Sequence, residues 1–167
     1  MKILATYSTR TGNTQRVVEA VANSLPGEVD CLNVECQPDP SQYDVLIHGF
    51  WVTGATADEP SLEYLRGICD RSIGLIGTMG ANPSSAYGRS IALRLKNVLR
   101  ENNNRMKAWF LCAGKIDPEL IRWMETLPEN HSQYPTPARR KNWEDALGHP
   151  NQLDIDRAID AFRQALS

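Results

Sequence analysis

The stretch Ser8-Thr9-Arg10-Thr11-Gly12-Asn13-Thr14 decides the fold of this chain, because it separates a strand-like run from a helix-like run. The run before it, Ile3 to Tyr7, is mostly apolar. After it the apolar residues recur at helical spacing, at Val17, Val18, Val21, Ala22 and Leu25. A polar loop that leads straight into a helix predicts an anion site, since the first-turn N–H groups point outward and the helix dipole favours negative charge.

Each residue type in this loop suits the binding of a phosphate. Gly12 lets the backbone wrap closely around an anion, and Asn13 tolerates irregular dihedral angles while it bonds to neighbouring backbone. The alternative is an ordinary helix start that Thr11 or Asn13 caps. Hydroxyl groups add donors without adding charge, and the loop has four of them, at Ser8, Thr9, Thr11 and Thr14. That number exceeds what one cap needs and favours the phosphate site.

The loop resembles the phosphate loop of the flavodoxin family, in which hydroxyl-x-Thr-Gly-Asn-Thr follows the first strand and holds the phosphate of FMN. Five residues match this pattern in order, and Ser8 extends it: Thr9, Thr11, Gly12, Asn13 and Thr14. Arg10 occupies the variable place, where it either adds a countercharge to the phosphate or faces solvent. The chain has no G-x-x-x-x-G-K-[ST] stretch, which disfavours a P-loop NTPase, and no G-x-G-x-x-G stretch, which disfavours a dinucleotide-binding turn. A mononucleotide is therefore the expected ligand.

Strand-like and helix-like runs alternate along the chain, which is typical of a parallel α/β sheet. The strand-like runs are Lys2 to Ser8, Glu28 to Val34, Tyr43 to Gly49, Ser72 to Thr78 and Met106 to Ala113. The helix-like runs end at Pro26-Gly27, follow Pro60, span Ala86 to Arg100, follow Asp117-Pro118 and begin near Leu153. We predict one doubly wound domain over residues 1–167, with the flavodoxin strand order 2-1-3-4-5 and a long polar, structureless loop at about 127–152.

Two loops at the carboxyl edge of this sheet are expected to hold the flavin ring. The resemblance implies that the loop after the third strand contributes Trp51, Val52, Thr53 and Gly54. It implies that the loop after the fourth strand contributes Thr78, Gly80, Ala81, Asn82 and Tyr87. An isoalloxazine ring needs stacking partners on its faces and backbone hydrogen bonds along one edge. Trp51 and Tyr87 are the expected stacking partners.

Three of these residues have alternative roles. Trp51 and Phe50 could exchange places, so that Phe50 contacts the flavin and Trp51 anchors the loop. Tyr87 is either a flavin contact or the first core residue of the following helix. Gly54 matches the position where flavodoxins turn a peptide carbonyl towards a partly reduced flavin, and it is otherwise a turn residue with positive φ.

Composition excludes several classes of protein. The chain of 167 residues is 41% hydrophobic and 23% charged, which is typical of a globular domain and of neither a disordered nor a membrane-embedded chain. The net charge of −2 and the short basic cluster at Arg139-Arg140-Lys141 do not suggest nucleic-acid binding. The four cysteines are scattered and predict reduced core thiols rather than a metal site, and the N-terminus predicts a cytoplasmic protein.

The favoured function is an FMN-binding electron carrier, with a reductase as electron donor and another redox enzyme as acceptor. The alternative is a flavodoxin-fold NAD(P)H-dependent reductase of a quinone, a flavin or a small organic molecule. That alternative depends on the 127–152 segment, whose Arg139, Arg140 and Lys141 are available for a nucleotide phosphate. A third possibility is a binding module that has lost its flavin. No catalytic triad or G-x-S-x-G motif occurs, so the chemistry would belong to the cofactor.

Overall fold

Five parallel strands form the central sheet in the order β2-β1-β3-β5-β6, and a two-residue strand, β4, pairs antiparallel with β3. The structure is a computed structural model that describes residues 1–167. The strands are β1 (Lys2–Tyr7), β2 (Glu28–Asn33), β3 (Val45–Thr53), β4 (Thr56–Ala57), β5 (Ser72–Met79) and β6 (Arg105–Ala113). Because β4 only adds a hairpin to β3, this order confirms the predicted order 2-1-3-4-5.

Helices cover both faces of the sheet, as predicted for a doubly wound fold. They are α1 (Asn13–Ser24), α2 (Glu59–Arg66), α3 (Ala86–Glu101), α4 (Pro118–Met124), α5 (Pro137–Ala146) and α6 (Gln152–Leu166). The core on one face joins Ile3 of β1 to Val18 of α1 and Phe162 of α6. The core on the other face joins Leu4 of β1 to residues of α2 and α3 such as Leu65 and Ile91.

Close packing of α1 on β3 fixes where the β1–α1 loop lies. A Cβ atom added to Gly49 would stand 2.3 Å from Cγ2 of Val18 and 2.9 Å from Cγ2 of Thr14, so only glycine lets α1 approach β3 this closely. The backbone N–H of Ser8 donates to the carbonyl of Gly49 over 2.9 Å. The loop is therefore held at the carboxyl ends of β1 and β3, where open α/β sheets bind their ligands.

The structure corrects the prediction of a structureless segment at 127–152. Helix α5 lies inside that segment, and α6 begins at its end with Gln152. The start of α5 carries a local signal, since Thr136 caps it and Pro137 follows within the first turn. Apolar periodicity does not predict this helix, because only Trp143 and Ala146 of it are buried.

Two smaller predictions also differ from the structure. Strand β3 continues through Thr53 rather than ending at Gly49, because β4 pairs with its last residues and the β-favouring run from Phe50 to Thr53 stays extended. All four cysteines are free thiols, but only Cys112 is buried, while Cys36 and Cys69 are exposed. The prediction of core thiols therefore holds for Cys112 and is wrong for Cys36 and Cys69.

His48 is a buried histidine on β3 that belongs to the core rather than to a site. Its Nδ1 atom lies 2.8 Å from the hydroxyl oxygen of Thr6, and its ring centroid lies 5.5 Å from that of Tyr64. Its Nε2 atom has no hydrogen-bond partner. Burial lowers the pKa of His48 to about 3, so this side chain is neutral at physiological pH.

Candidate flavin site

A cleft of about 760 Å³ opens at the carboxyl edge of the sheet. Much of its lining comes from four segments that follow or end a parallel strand: 9–14 after β1, 51–54 at the end of β3, 78–82 at the end of β5, and 114–117 after β6. Because parallel strands bring their carboxyl ends to one edge, residues far apart in sequence meet there. The cleft includes the point between β1 and β3 where the strand order reverses.

The start of α1 differs from that of every other α-helix in the chain. Its N-cap is Gly12, in the left-handed region at φ +91°, and no side chain caps it. The other α-helices are each capped by a side chain, that of Asp58, Ser85, Asp117, Thr136 or Asn151. The alternative in which Thr11 or Asn13 caps α1 is therefore wrong.

The β1–α1 loop leaves a set of backbone donors without acceptors. The N–H of Gly12 donates to the hydroxyl oxygen of Thr9 over 3.0 Å. No hydrogen bond within the chain uses the N–H groups of Thr9, Arg10, Thr11, Asn13, Thr14 and Gln15. Those of Asn13, Thr14 and Gln15 belong to the first helical turn and point out of the helix end. This donor-rich, acid-free loop fits the phosphate of FMN.

The hydroxyl groups of the loop do not all face the same way. Thr11 is exposed and its hydroxyl forms no hydrogen bond, so this group is free for a ligand. The hydroxyl of Thr14 is buried, 2.9 Å from that of Thr78 and 3.4 Å from the carbonyl of Phe50. Ser8 is buried and does not line the cleft. The roles predicted for Ser8 and Thr14 at the phosphate stay predictions, and Thr14, which lines the cleft, also has a free backbone N–H.

Arg10 has a third role besides the two that the sequence left open. Its Nε atom donates to Oδ2 of Asp117 over 3.0 Å, although its side chain stays 44% exposed. The N–H of Glu119 and the guanidinium of Arg10 hold the pKa of Asp117 below its ordinary value. Since Asp117 also caps α4, this ion pair links the phosphate loop to the start of α4.

Trp51, and not Phe50, is the aromatic residue of β3 that lines the cleft. Phe50 is fully buried, with its ring centroid 5.9 Å from that of Trp109. The carboxylate of Asp58 accepts the N–H of Trp51 over 3.2 Å and so fixes the backbone of this wall. The chain then turns at Gly54.

Gly54 forms a two-residue hairpin turn together with Ala55. Their φ angles are +58° and +64°, and the flanking residues Thr53 and Thr56 are paired. Positive φ at both positions matches the tight turn that joins twisted antiparallel strands. The turn role predicted for Gly54 is therefore present, at a place where Gly54 also lines the cleft.

The loop after β5 gives the cleft another aromatic residue and more free donors. Tyr87 is 43% exposed at the start of α3 and lines the cleft, so it is not a core residue of that helix. The N–H groups of Gly80, Ala81 and Asn82 have no acceptor within the chain, whereas the Asn82 side chain accepts the N–H of Ser84 over 2.9 Å. A Cβ atom on Gly80 would stand 2.4 Å from Cδ1 of Ile116, so a larger residue here would require the Ile116 side chain to move.

The sequence missed a whole wall of the cleft, which follows β6. This wall consists of Gly114, Lys115, Ile116, Asp117, Leu120, Met124, Ser132, Gln133, Arg139, Asn142 and Trp143. Two further lining residues that the sequence did not predict are Met79, at the end of β5, and Ser85, before α3. The side-chain amide of Asn13 donates to the carbonyl of Lys115 over 2.9 Å and ties this wall to the phosphate loop. The available signal was the position of Asp117-Pro118, a helix start directly after the last parallel strand.

The basic cluster of α5 is engaged within the chain. Arg139 donates to the carbonyl of Tyr134 over 2.9 Å and to that of Ser132 over 3.2 Å. Arg140 pairs with Glu125 over 2.6 Å. Lys141 pairs with Asp145, which raises the pKa of Lys141 above its ordinary value. These contacts engage all three cations within the chain, while the segment itself lines the cleft through residues such as Arg139 and Trp143. The NAD(P)H-dependent alternative stays a prediction.

Comparison with known proteins agrees with this geometry. The family model of the flavodoxin domain matches residues 4–163. Among curated proteins, the chain is 29% identical over 163 residues to the flavodoxin-like domain-containing protein BilS of Clostridioides difficile, covering 95% of this chain and 92% of that protein. It is 28% identical over 173 residues to BilS of Clostridium symbiosum, covering 93% and 90%.

Solved structures share the fold. A short-chain flavodoxin associated with a non-canonical PDU bacterial microcompartment is 16% identical with a TM-score of 0.60, and the match covers 99% of each chain. A Streptococcus pneumoniae flavodoxin is 15% identical with a TM-score of 0.60, covering 99% of this chain and 98% of that one. Because the flavodoxin family model matches residues 4–163, nearly the whole chain, the chain belongs to the flavodoxin family.

Family membership confirms the fold and supports the prediction of FMN as the cofactor. No cluster of three or more histidine, cysteine or acidic side chains is arranged to hold a metal ion. None of the helices is both long and apolar enough to cross a membrane.

Proposed function

We propose that this chain binds FMN non-covalently in the cleft and carries electrons between redox enzymes. The uncapped start of α1 is the observation that supports this most strongly. Its free N–H groups stand at the edge where a doubly wound sheet binds mononucleotides. A Fusobacterium nucleatum flavodoxin, 17% identical over 70% of this chain and 79% of its own with a TM-score of 0.51, is bound to flavin mononucleotide.

The chain's own residues would bind and orient the cofactor. The free backbone N–H groups of residues 9–11 and 13–15 hold the phosphate, and the Thr11 hydroxyl adds a donor. Trp51 and Tyr87 contact the ring, with Val52, Thr53 and Gly54 beside Trp51 and Thr78 at the end of β5. The N–H groups of Gly80, Ala81 and Asn82 bond the polar ring edge. FMN, when bound, supplies the redox chemistry.

The composition of the cleft lining supports a carrier over a stand-alone enzyme, because it holds few of the side chains that most often transfer protons to a substrate. Its lining includes no histidine and no cysteine. Its one carboxylate, that of Asp117, is paired with Arg10. General acid–base catalysis needs a titratable group near neutrality within reach of the reacting atom, whereas electron transfer needs none. The partners are then redox proteins, one as donor and one as acceptor.

The four free thiols agree with a reducing compartment, and we assign the protein to the cytoplasm. Disulfides form and persist in oxidising compartments. Four unpaired cysteines, two of them exposed, would be unusual there.

Visible spectroscopy under anaerobic conditions tests the proposal. The purified protein, loaded with FMN, is mixed first with NADPH and then with a separate flavodoxin reductase. We expect no bleaching until the reductase is added, because the cations of α5 are engaged within the chain. Rapid bleaching by NADPH alone would instead establish the reductase, and a colourless protein that FMN cannot reconstitute would establish a module without flavin.

A further inference from the structure

The loop that follows β6 holds Lys115 beside the start of α1. The carbonyl of Lys115 accepts the side-chain amide of Asn13 over 2.9 Å, and its N–H donates to the carbonyl of His149 over 2.8 Å. A Cβ atom on the preceding Gly114 would stand 2.9 Å from the same amide nitrogen of Asn13. The backbone of Lys115 is thus fixed on both sides, against the first residue of the helix whose N–H groups are free.

Lys115 is also the one cationic side chain of the cleft that has no partner. The cleft is lined by the cations Arg10, Lys115 and Arg139. Arg10 pairs with Asp117, and Arg139 donates to the carbonyls of Ser132 and Tyr134. The side chain of Lys115 is exposed and forms neither a hydrogen bond nor an ion pair. Its charge is available to a ligand.

We infer that the ammonium of Lys115 binds the phosphate of FMN. The inference rests on the proposed function and adds to the phosphate site a residue that lies 102 positions after Asn13 in the chain. The β1–α1 loop supplies N–H and O–H donors but has only one charged side chain, that of Arg10. This side chain already forms an ion pair with Asp117. A phosphate monoester carries close to two negative charges at neutral pH, and a lysine ammonium is a compact charge suited to it.

This assignment makes Lys115 a specificity residue that selects FMN over riboflavin. Both ligands share the ring and the ribityl chain, but only FMN has the anion that a lysine would attract. An interaction between a partly exposed ammonium and a phosphate also weakens as salt is added. Ligand charge and ionic strength therefore give two independent readouts that a merely structural lysine would not change.

The test measures the Kd of FMN and of riboflavin by flavin fluorescence quenching, at low and high salt. We expect Lys115→Ala and Lys115→Gln to raise the Kd of FMN by roughly three- to tenfold at low salt and by less at high salt. The Kd of riboflavin should stay within about twofold, and Lys115→Arg should retain most of the FMN affinity. Lys107→Ala is the matched control, because Lys107 is exposed on the same strand–loop unit but outside the cleft.

Two results would overturn the inference while leaving the proposed function intact. One is a Kd of FMN in Lys115→Ala that matches that of Lys107→Ala. The other is an equal loss of affinity for FMN and riboflavin, which would place Lys115 at the ring or in the fold. A wild-type protein that binds neither flavin would overturn the proposed function first, so the two failures are distinguishable.

Discussion

The starts of α1 and α6 differ in what accepts the N–H groups of the first helical turn, which have no partner within the helix. At α6 the Asn151 side chain accepts the N–H of Asp154 over 3.0 Å, and the Asp154 carboxylate accepts the N–H of Asn151 over 2.8 Å. At α1 the N-cap is Gly12, and the first-turn N–H groups meet no acceptor. A helix with a structural role satisfies its own donors. A helix that binds an anion leaves them for the ligand.

The missing cap at α1 is offset by burial. A side-chain cap typically contributes about 1 kcal/mol. Val17, Val18 and Val21 are fully buried between the sheet and α6, and burying one such side chain contributes roughly 1.5–3 kcal/mol. Helix α1 is thus stabilised by its packed face, so its N–H groups can stay available to a ligand without a side-chain cap.

A negative charge placed at the start of α1 should weaken FMN binding and stabilise the flavin-free protein. Thr11→Asp would set a carboxylate where the phosphate is expected, and the repulsion together with the lost hydroxyl should weaken FMN binding by about 3 kcal/mol. The same carboxylate should stabilise the flavin-free protein by a few tenths of a kcal/mol through the helix dipole. Calorimetric titration and chemical denaturation measure the two effects, with Thr11→Asn as the uncharged control. Unchanged FMN affinity would show that the anion lies elsewhere.

Removing only the hydroxyl at the same position should have a smaller effect. Thr11→Val keeps the shape of the side chain but deletes one donor to the phosphate, which should cost about 1.5 kcal/mol, roughly tenfold in the Kd of FMN. Riboflavin has no phosphate, so its Kd should change little. Titration of both ligands against the wild type and the variant measures the difference. Equal losses for the two flavins would contradict the phosphate assignment.

Removing the cap of α6 should affect stability and leave binding unchanged. Asn151→Ala deletes the acceptor for the Asp154 N–H and should lower the free energy of unfolding by about 1 kcal/mol. Asn151→Ser, which can still cap, should lower it by much less. Urea denaturation measures the loss, and titration should give the wild-type Kd of FMN for both variants. A large loss of FMN affinity would mean that α6 and the cleft are coupled.

Releasing Arg10 from α4 should have the smallest effect. Asp117→Asn keeps a capping side chain on α4 but removes the charge that pairs with Arg10. We expect the Kd of FMN to stay within about twofold, or to fall slightly if Arg10 turns to the phosphate, since exposed ion pairs contribute little. Asp145→Asn, which releases Lys141 outside the cleft, is the matched control. A tenfold loss of FMN affinity would instead assign the ion pair a positioning role.

The parts of the site that could be predicted are those that local sequence encodes. Gly12 and Asn13 lie together in one loop, between a β1 and an α1 that apolar periodicity identifies. The α5 wall has no such periodicity, because its burial depends on Trp143 and Ala146 alone. Trp51 and Phe50 are neighbours of similar chemistry, and only the pleat of β3 decides which one faces the core.

The amino-acid sequence by itself determined the order of strands and helices, the polar glycine-containing loop before α1 and the family of the chain. These features depend on local periodicity and on residue types within a few positions of one another. Only the tertiary structure decided that Arg10 pairs with Asp117 and that Lys115 lies beside Asn13. These partners are separated by about a hundred residues in the chain. The order of the parallel strands brings them to one edge of the sheet, and local periodicity does not reveal which distant residues meet there.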